Sequence, residues 1–186
     1  MIETIKNFLP DEEFGSFAME AMQAPHYTPC DYTTYKEEAD GSIDTYGEHL
    51  VPRPKHQTMF QAFMFSRAQL SSFVTDFYVK ESRVINLIAD LLNVKKWWVI
   101  RINCTVGQDQ PYVGALHTDT DNPYLLENSK TAILYLNTNN GGTQFQDGSI
   151  QKSKANTLIN FPTNTPHAGV WCTDAKLRYV LNMCYE

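Results

Sequence analysis

Two histidines, one aspartate and one arginine are the residues of this chain whose types and order could do chemistry. His117 and Asp119 are separated by a single residue, and His167 follows 50 positions after His117 (167 − 117). Because side chains alternate along an extended segment, His117 and Asp119 can reach one metal ion from the same face. Three ligands are too few to saturate a metal. The set therefore predicts a divalent-metal site with open coordination positions.

Arg178 opens the last predicted strand, 11 positions after His167 (178 − 167). Alternation puts Arg178, Val180, Asn182 and Cys184 on one face of that strand, and none of its companions is acidic. A guanidinium inside a barrel is costly unless a carboxylate pairs with it. A small dicarboxylic acid would supply that carboxylate with bidentate geometry. The alternative is an arginine at the rim that pairs with an acidic residue of another strand.

The identity of the metal depends on Arg178. Zinc accepts the same three ligands, whereas two histidines and one carboxylate with open positions also suit non-haem Fe(II). Arg178 favours iron, because a zinc hydrolase would not need it. The simpler interpretation is a chance His-x-Asp with His167 in a loop. The remaining histidines have no partner spacing and are predicted to be structural or surface residues: His26, His49 and His56.

The composition is that of a soluble globular protein. The chain has 186 residues, which predicts one domain, with 42% hydrophobic and 19% charged residues. A net charge of −6 argues against nucleic acid as a partner, and no apolar run of about 18 residues predicts a membrane span. The N-terminus lacks the features of a secretion signal, and the cysteines form no Cys-x-x-Cys pair, so we expect reduced thiols and a cytoplasmic protein: Cys30, Cys104, Cys172 and Cys184.

The predicted elements divide the chain into two parts within one domain, 1–186. Residues 1–96 are predicted to be a helical and irregular support, with a helix from Asp11, short strands and loops from 24 to 55, and two helices over 67–93. Residues 97–186 are predicted to be a β-barrel, with strands at 97–103, 131–137, 143–146, 149–151, 157–161 and 177–185. The fold class is therefore mainly β with N-terminal helices, a jelly-roll barrel.

Over about residues 97–186 the chain resembles the Fe(II)/2-oxoglutarate-dependent dioxygenases, in particular their prolyl-4-hydroxylase-like branch. The resemblance is carried by Leu116-His117-Thr118-Asp119, Tyr135-Leu136-Asn137, Gly141-Gly142-Thr143, Asn160-Phe161-Pro162, Pro166-His167-Ala168-Gly169-Val170 and Arg178-Tyr179. It implies a double-stranded β-helix on which His117, Asp119 and His167 bind Fe(II). It also implies that Arg178, assisted by Tyr135, anchors the far carboxylate of 2-oxoglutarate. Four further residues are candidate contacts of the co-substrate: Asn103, Tyr112, Thr131 and Asn182.

The activity implied by the resemblance is hydroxylation of an unactivated C–H bond with O₂, releasing succinate and CO₂, with ascorbate to keep the iron reduced. The substrate would be a protein side chain such as proline, or a small molecule. We expect its contacts mainly from residues 25–60, because the segment between Asp119 and Thr131 is short. Two alternatives remain open. One is a nucleic-acid dealkylase or nucleobase hydroxylase with a basic groove of Arg53, Lys55, His56 and Arg67. The other is a barrel that binds metal or ligand without catalysis.

Overall fold

A computed structural model describes residues 1–23, 59–67 and 73–186, and between them only the backbone of five two-residue strands. The helices are α1 (Asp11–Met22), α2 (Asp76–Lys80), α3 (Ser82–Leu92) and α4 (Pro123–Asn128). The strands are β1 (Glu3–Lys6), β2 (Thr28–Pro29), β3 (Tyr32–Thr33), β4 (Lys36–Glu37), β5 (Ile43–Asp44), β6 (Val51–Pro52), β7 (Met59–Ser66), β8 (Phe73–Val74), β9 (Trp97–Val106), β10 (Lys130–Tyr135), β11 (Gly142–Phe145), β12 (Ile150–Lys152), β13 (Thr157–Pro162), β14 (His167–Val170) and β15 (Leu177–Tyr185).

Two antiparallel sheets form the barrel. In the part of the chain that is described, the major sheet has the order β1-β13-β10-β15-β9-β7-β2, with β8 paired to β7. The minor sheet has the order β12-β11-β14, and single bridges from Val113 to Val170 and from His117 to His167 extend it. The short pairs β3–β6 and β4–β5 stand apart from both sheets. This arrangement confirms the mainly β, jelly-roll prediction.

The outer face of the major sheet carries the larger hydrophobic core. Helix α1 buries Phe17, Ala18 and Ala21 at helical spacing, and α3 buries Ile85 and Ile88. These side chains belong to one cluster with the outward-facing residues of the sheet, among them Ile100, Ile102, Leu134, Leu158, Leu181 and Met183. The N-terminal helices therefore support the barrel from outside, which leaves its interior face for other contacts.

Because side chains alternate along each strand, those on the opposite face of the major sheet point into the barrel interior. The register pairs Thr131 with Cys184, Ile133 with Asn182 and Tyr135 with Val180, so these six side chains share one face. A second apolar cluster fills part of the space between the sheets: Ile133, Tyr135, Phe145, Ile159, Phe161 and Val180. Arg178 and Asn182 lie on this interior face, as the sequence predicts.

The N-terminal half contributes more strands than the sequence predicts. Strand β1 pairs with β13, and β7 pairs with β9 over most of its length, so the major sheet begins well before residue 97. Two helices were expected over 67–93; the described part contains β8, then the short α2 and α3, with Thr75 accepting a hydrogen bond from Tyr78 N at the start of α2. No helix of the described ranges is long and apolar enough to cross a membrane.

Three of the four cysteines lie in the described ranges, and their predicted burial is confirmed. Cys104, Cys172 and Cys184 are buried free thiols. Burial raises the pKa of Cys104 to about 11, which keeps this thiol protonated near neutral pH. Cys30 lies outside the described residues, as do His26, His49 and His56 and three of the four residues of the basic groove, Arg53, Lys55 and His56.

Candidate active site

The structure brings His117, Asp119 and His167 together between the two sheets. Their potential ligand atoms all lie within 4.8 Å of one another, and Nε2 of His167 is 3.6 Å from Oδ2 of Asp119. His117 and His167 form the bridge at the edge of the minor sheet, where each backbone N–H donates to the carbonyl of the other at 2.9 Å. Backbone pairing thus sets the two imidazoles side by side, with ring centroids 4.9 Å apart.

Both imidazoles are oriented by backbone carbonyls. Nδ1 of His117 lies 3.0 Å from the carbonyl of Ala115, and Nδ1 of His167 lies 3.1 Å from that of Thr165. Because a carbonyl only accepts, each Nδ1 carries the proton, and each Nε2 keeps the lone pair that a metal needs. Burial, partly opposed by Asp119, lowers the pKa of His167 to about 4. His167 is therefore neutral near pH 7, as metal binding requires.

The carboxylate of Asp119 is held at both oxygens. Nη2 of Arg101 lies 2.5 Å from Oδ1, and Nδ2 of Asn182 donates to Oδ2 at 3.1 Å. Burial alone would raise the pKa of Asp119. Arg101, the two histidines and the Asn182 amide together outweigh that effect and hold the pKa well below its usual range. Asp119 is accordingly a carboxylate ready to serve as a metal ligand.

Arg178 crosses the barrel interior from the major to the minor sheet. Its Nε donates to Oγ of Ser153 and its Nη2 to the carbonyl of Gly142, each at 2.8 Å. The side chain is buried, and desolvation lowers its pKa. No acidic residue in the described part of the chain pairs with it, and Nη1 makes no hydrogen bond there. A buried cation with free donors is the feature expected of a site for an organic anion.

Tyr135 lies beside Arg178, but its hydroxyl is already engaged. The guanidinium carbon of Arg178 is 5.7 Å from the centre of the Tyr135 ring. The hydroxyl donates to Oγ1 of Thr143 at 2.9 Å and lies 3.3 Å from the carbonyl of Gln151. Burial raises the pKa of Tyr135, so the phenol stays protonated. Its ring contact to Arg178 agrees with the predicted assisting role, which stays a prediction.

Buried hydroxyls without partners surround this region. Oγ1 of Thr105 and Oγ1 of Thr157 are buried and lack a hydrogen-bond partner among the described residues. Thr105 is directly opposite Arg178 in the β9–β15 register, and Thr157 is opposite Tyr135 in the β10–β13 register. Directly opposed side chains are close neighbours. Because buried polar groups are nearly always paired in folded proteins, a water molecule or a polar ligand within the barrel would satisfy these two hydroxyls.

The four weaker candidates have partners within the protein. Asn182 contacts Asp119, so the structure places it beside the metal site. Asn103 accepts a hydrogen bond from Gln61 at 3.1 Å. For the remaining two, the contacts seen do not involve the metal site or Arg178. The hydroxyl of Thr131 donates to Thr163, and the ring of Tyr112 packs edge-on against Trp171 at 5.1 Å. Their roles toward a co-substrate stay predictions.

Sequence reasoning missed Arg101, Thr105, Ser153 and the carbonyl of Gly142. Arg101 had a usable signal, since it interrupts the otherwise apolar half of β9 on the face that alternation assigns to the interior. Thr105 lies on that same face, but a threonine in a strand is ordinary. Ser153 and Gly142 could not be found from spacing, because only the packing of the two sheets brings them to Arg178.

Comparisons with known proteins support the fold. No protein-family model and no curated protein matches the sequence. Solved structures do match. An oxidoreductase of the 2OG-Fe(II) oxygenase family from Burkholderia pseudomallei aligns with a TM-score of 0.63 and 10% identity, over 99% of this chain and 85% of that one. A Trichoplax adhaerens prolyl hydroxylase in complex with a peptide of hypoxia-inducible factor aligns with a TM-score of 0.56 and 14% identity, over 99% and 82%.

A third solved structure with this fold is an epimerase, whereas the second is a hydroxylase. The α-ketoglutarate-dependent non-haem epimerase of nogalamycin biosynthesis aligns with a TM-score of 0.61 and 13% identity, over 100% of this chain and 77% of that one. Identities this low show the fold alone. The chain therefore has the double-stranded β-helix fold of the 2-oxoglutarate/Fe(II) oxygenases, with a His-Asp-His cluster suited to iron.

Proposed function

We propose that this chain is an Fe(II)- and 2-oxoglutarate-dependent dioxygenase that hydroxylates an unactivated C–H bond, with residues 1–186 as one oxygenase domain. The observation that carries the proposal is the combination of two sites in one barrel. One is the cluster of His117, Asp119 and His167, and the other is the buried Arg178 with no acidic partner in the described ranges. A hydrolytic zinc centre would have no use for the second site.

The residues at the metal site fit a divalent ion. Two Nε2 lone pairs and one carboxylate converge, and the backbone carbonyls of Ala115 and Thr165 fix the imidazole tautomers. Three protein ligands leave coordination positions for a co-substrate and O₂. Zinc would accept the same ligands, so activity restored by Fe(II) and not by Zn(II) is part of the test.

The residues around Arg178 fit the far carboxylate of a small dicarboxylic acid. Asn182, next to Asp119, and Arg178 are four residues apart on β15, about 13 Å along the strand at about 3.3 Å per residue. A five-carbon keto acid and the long arginine side chain can together bridge this separation. Nη1 of Arg178 and the hydroxyl of Thr105 are the donors that we assign to that carboxylate, because each lacks a partner among the described residues.

When bound, iron and 2-oxoglutarate supply the oxidising chemistry, in which O₂ is consumed and succinate and CO₂ are released. The protein orients the reactants and excludes water. Phe161 packs edge-on against His167 at 5.0 Å and against Phe145 at 5.3 Å, which places an apolar wall behind the metal site. Asp119 and the neutral His167 would hold a metal without a proton to lose near pH 7.

The prime substrate that we propose is a protein side chain, such as proline, or a small molecule. Among the structures with this fold, one hydroxylase is bound to a peptide and one enzyme is an epimerase of nogalamycin biosynthesis, so the fold serves both classes. No observation favours nucleic acid: of the proposed basic groove only Arg67 is described, and it packs over the ring of Phe65 beside Tyr78 and Lys95.

Succinate formation tests this proposal. The purified protein, supplied with Fe(II), ascorbate, 2-oxoglutarate and air, should release succinate slowly without prime substrate and faster with the right one. Arg178→Leu should abolish this release, whereas Arg83→Gln, a change at an exposed surface arginine, should leave it unchanged. Failure of the iron-loaded protein either to bind 2-oxoglutarate or to turn it over would refute the proposal and favour a non-catalytic barrel.

A further inference from the structure

We propose that Arg101 is a positioning residue for the metal site, which holds the carboxylate of Asp119 so that Oδ2 stays beside His167. The inference rests on the metal-binding half of the proposed function and is independent of 2-oxoglutarate turnover. Nη2 of Arg101 lies 2.5 Å from Oδ1 of Asp119, whereas Oδ2 lies 3.6 Å from Nε2 of His167. The arginine therefore occupies one carboxylate oxygen and leaves the other facing the histidines.

Arg101 does not act alone in this contact. It is directly opposite Asn182 in the β9–β15 register, and both side chains lie on the interior face of the major sheet. Asn182 donates to Oδ2 at 3.1 Å. Two neighbouring strands thus present a guanidinium and an amide to the two oxygens of a single carboxylate. An amide contact leaves Oδ2 further acceptor capacity for a metal.

Asp119 needs this support because no backbone pairing with another described residue fixes it. The two histidines are anchored by the bridge between His117 and His167, but Asp119 lies two residues past that bridge and outside every strand. Its side-chain direction therefore depends on side-chain contacts. A planar guanidinium restricts a carboxylate more strongly than a flexible ammonium does, because its donors are fixed in a fork.

Burying Arg101 also costs folding free energy that its packing contacts do not explain. Its side chain is only 18% exposed, and its Nε is buried without a partner among the described residues. An apolar residue would satisfy the interior face of β9 at lower cost. Residues that break the local rules of packing concentrate at functional sites, and Arg101 lies against a candidate metal ligand.

Metal affinity provides the test. The full-length chain and its Arg101→Gln and Arg101→Lys variants would be titrated with Co(II) by calorimetry, with the visible absorption of bound Co(II) recorded. We expect Arg101→Gln to weaken Co(II) binding by about 10- to 100-fold, the range found when groups behind a metal ligand are removed. Arg101→Lys should recover part of that loss, and both should alter the Co(II) spectrum. Arg83→Gln is the matched control, because Arg83 pairs with Glu13 at the surface.

The outcomes separate this inference from the proposed function. Wild-type affinity and an unchanged Co(II) spectrum in a folded Arg101→Gln variant would overturn it. If that variant does not fold, Arg101→Lys and Asn182→Ala decide the question, and wild-type affinity and spectrum in both would overturn it equally. A chain that binds Co(II) and loses affinity in these variants, yet never turns over 2-oxoglutarate, would support the role of Arg101 while refuting the oxygenase.

Discussion

His117 and His167 are backbone partners, because each donates its amide N–H to the carbonyl of the other at 2.9 Å. This pairing makes neighbours of two residues that are 50 positions apart (167 − 117). The positions of both imidazoles are therefore set by the same hydrogen bonds that close the minor sheet. A metal entering such a site finds two ligands already in place, which lowers the cost of ordering them.

The first prediction concerns His167 as a metal ligand. His167→Ala should reduce the affinity for Mn(II) or Co(II) by at least about 100-fold, more than the loss of a supporting group would cause. Calorimetric titration of the purified protein measures this directly. Asn164→Ala changes an exposed residue of the same loop and should bind metal like the unchanged chain. Equal affinity in the two variants would show that His167 is not a ligand.

Much of this site follows from local rules of strand geometry. The strands β9, β10 and β15 have apolar alternation and turn residues at their ends, so their positions were predicted within a few residues. Because side chains alternate, the same pattern placed Arg178 and Asn182 on one face. The spacing of His117 and Asp119 predicted a shared metal, and the structure brings both to His167.

The other features of the fold and site depend on pairing between segments that are distant in the sequence, and a local sequence pattern does not encode such pairing. Strand β7 joins the major sheet through β9, and its apolar sequence would suit a strand or a buried helix equally. The contact of Arg101 with Asp119 joins the major sheet to a loop next to the minor sheet. Only the packing distance between the two sheets determines that this arginine reaches that aspartate.

The second prediction concerns Arg178 and co-substrate affinity. Arg178→Met should weaken 2-oxoglutarate binding to the Mn(II)-loaded protein by about 100-fold or more, since losing one partner of a buried charge pair costs about 2–5 kcal/mol. Arg178→Lys should lose less, because the charge remains while the fork geometry is lost. The rise in melting temperature on adding 2-oxoglutarate reports the affinity of each variant.

The same experiment includes a test without ligand. In the absence of 2-oxoglutarate Arg178 is a buried cation with no acidic partner in the described ranges, so replacing it with methionine should change the melting temperature little. A large loss of stability without ligand, combined with an unchanged response to 2-oxoglutarate, would contradict the assignment. Arg178 would then be a structural link between the sheets through Ser153 and Gly142.

The third prediction concerns the close approach of the strands at Gly142. A Cβ at this position would lie 2.3 Å from the backbone carbonyl oxygen of Gln151, so Gly142→Ala forces β11 and β12 apart. We expect a loss of about 1–3 kcal/mol in the free energy of unfolding, as for other overpacked sites. Because the carbonyl of Gly142 accepts from Arg178, 2-oxoglutarate binding should weaken as well.

Gly15 offers a matched control for that change. It lies within α1, and a Cβ there meets nothing within 4 Å. Gly15→Ala should therefore raise the free energy of unfolding by about 0.5–1 kcal/mol, the usual gain in a helix interior. Chemical denaturation of both variants measures the two effects. The prediction at Gly142 fails if Gly142→Ala is as stable as the unchanged chain.

The fourth prediction concerns the pH dependence of stability in the metal-free protein. The pKa of His167 is lowered from 6.5 to about 4 by burial, so between these values the unfolded chain binds a proton that the folded chain does not. Stability must then fall as the pH falls from 6.5 toward 4, by at most about 1.4 kcal/mol per pH unit for one proton. Asp119 contributes little to this slope until the pH nears 4. Its pKa in the folded chain is held below the unfolded value of 3.8, so its stabilisation begins to be lost only as the pH approaches that value from above.

Comparison with His167→Gln isolates the contribution of this one histidine. Burial raises the pKa of Glu81, and a raised carboxyl pKa has the opposite sign, since its stabilisation is lost as the pH rises. The shift of Glu81 is common to both proteins and cancels in the difference between them. Unfolding measured with a chelator at pH 7, 6, 5 and 4.5 should show a steeper decline in the unchanged chain than in the variant. Parallel curves would mean that the pKa of His167 is the same in the folded and unfolded chains, which would contradict the prediction.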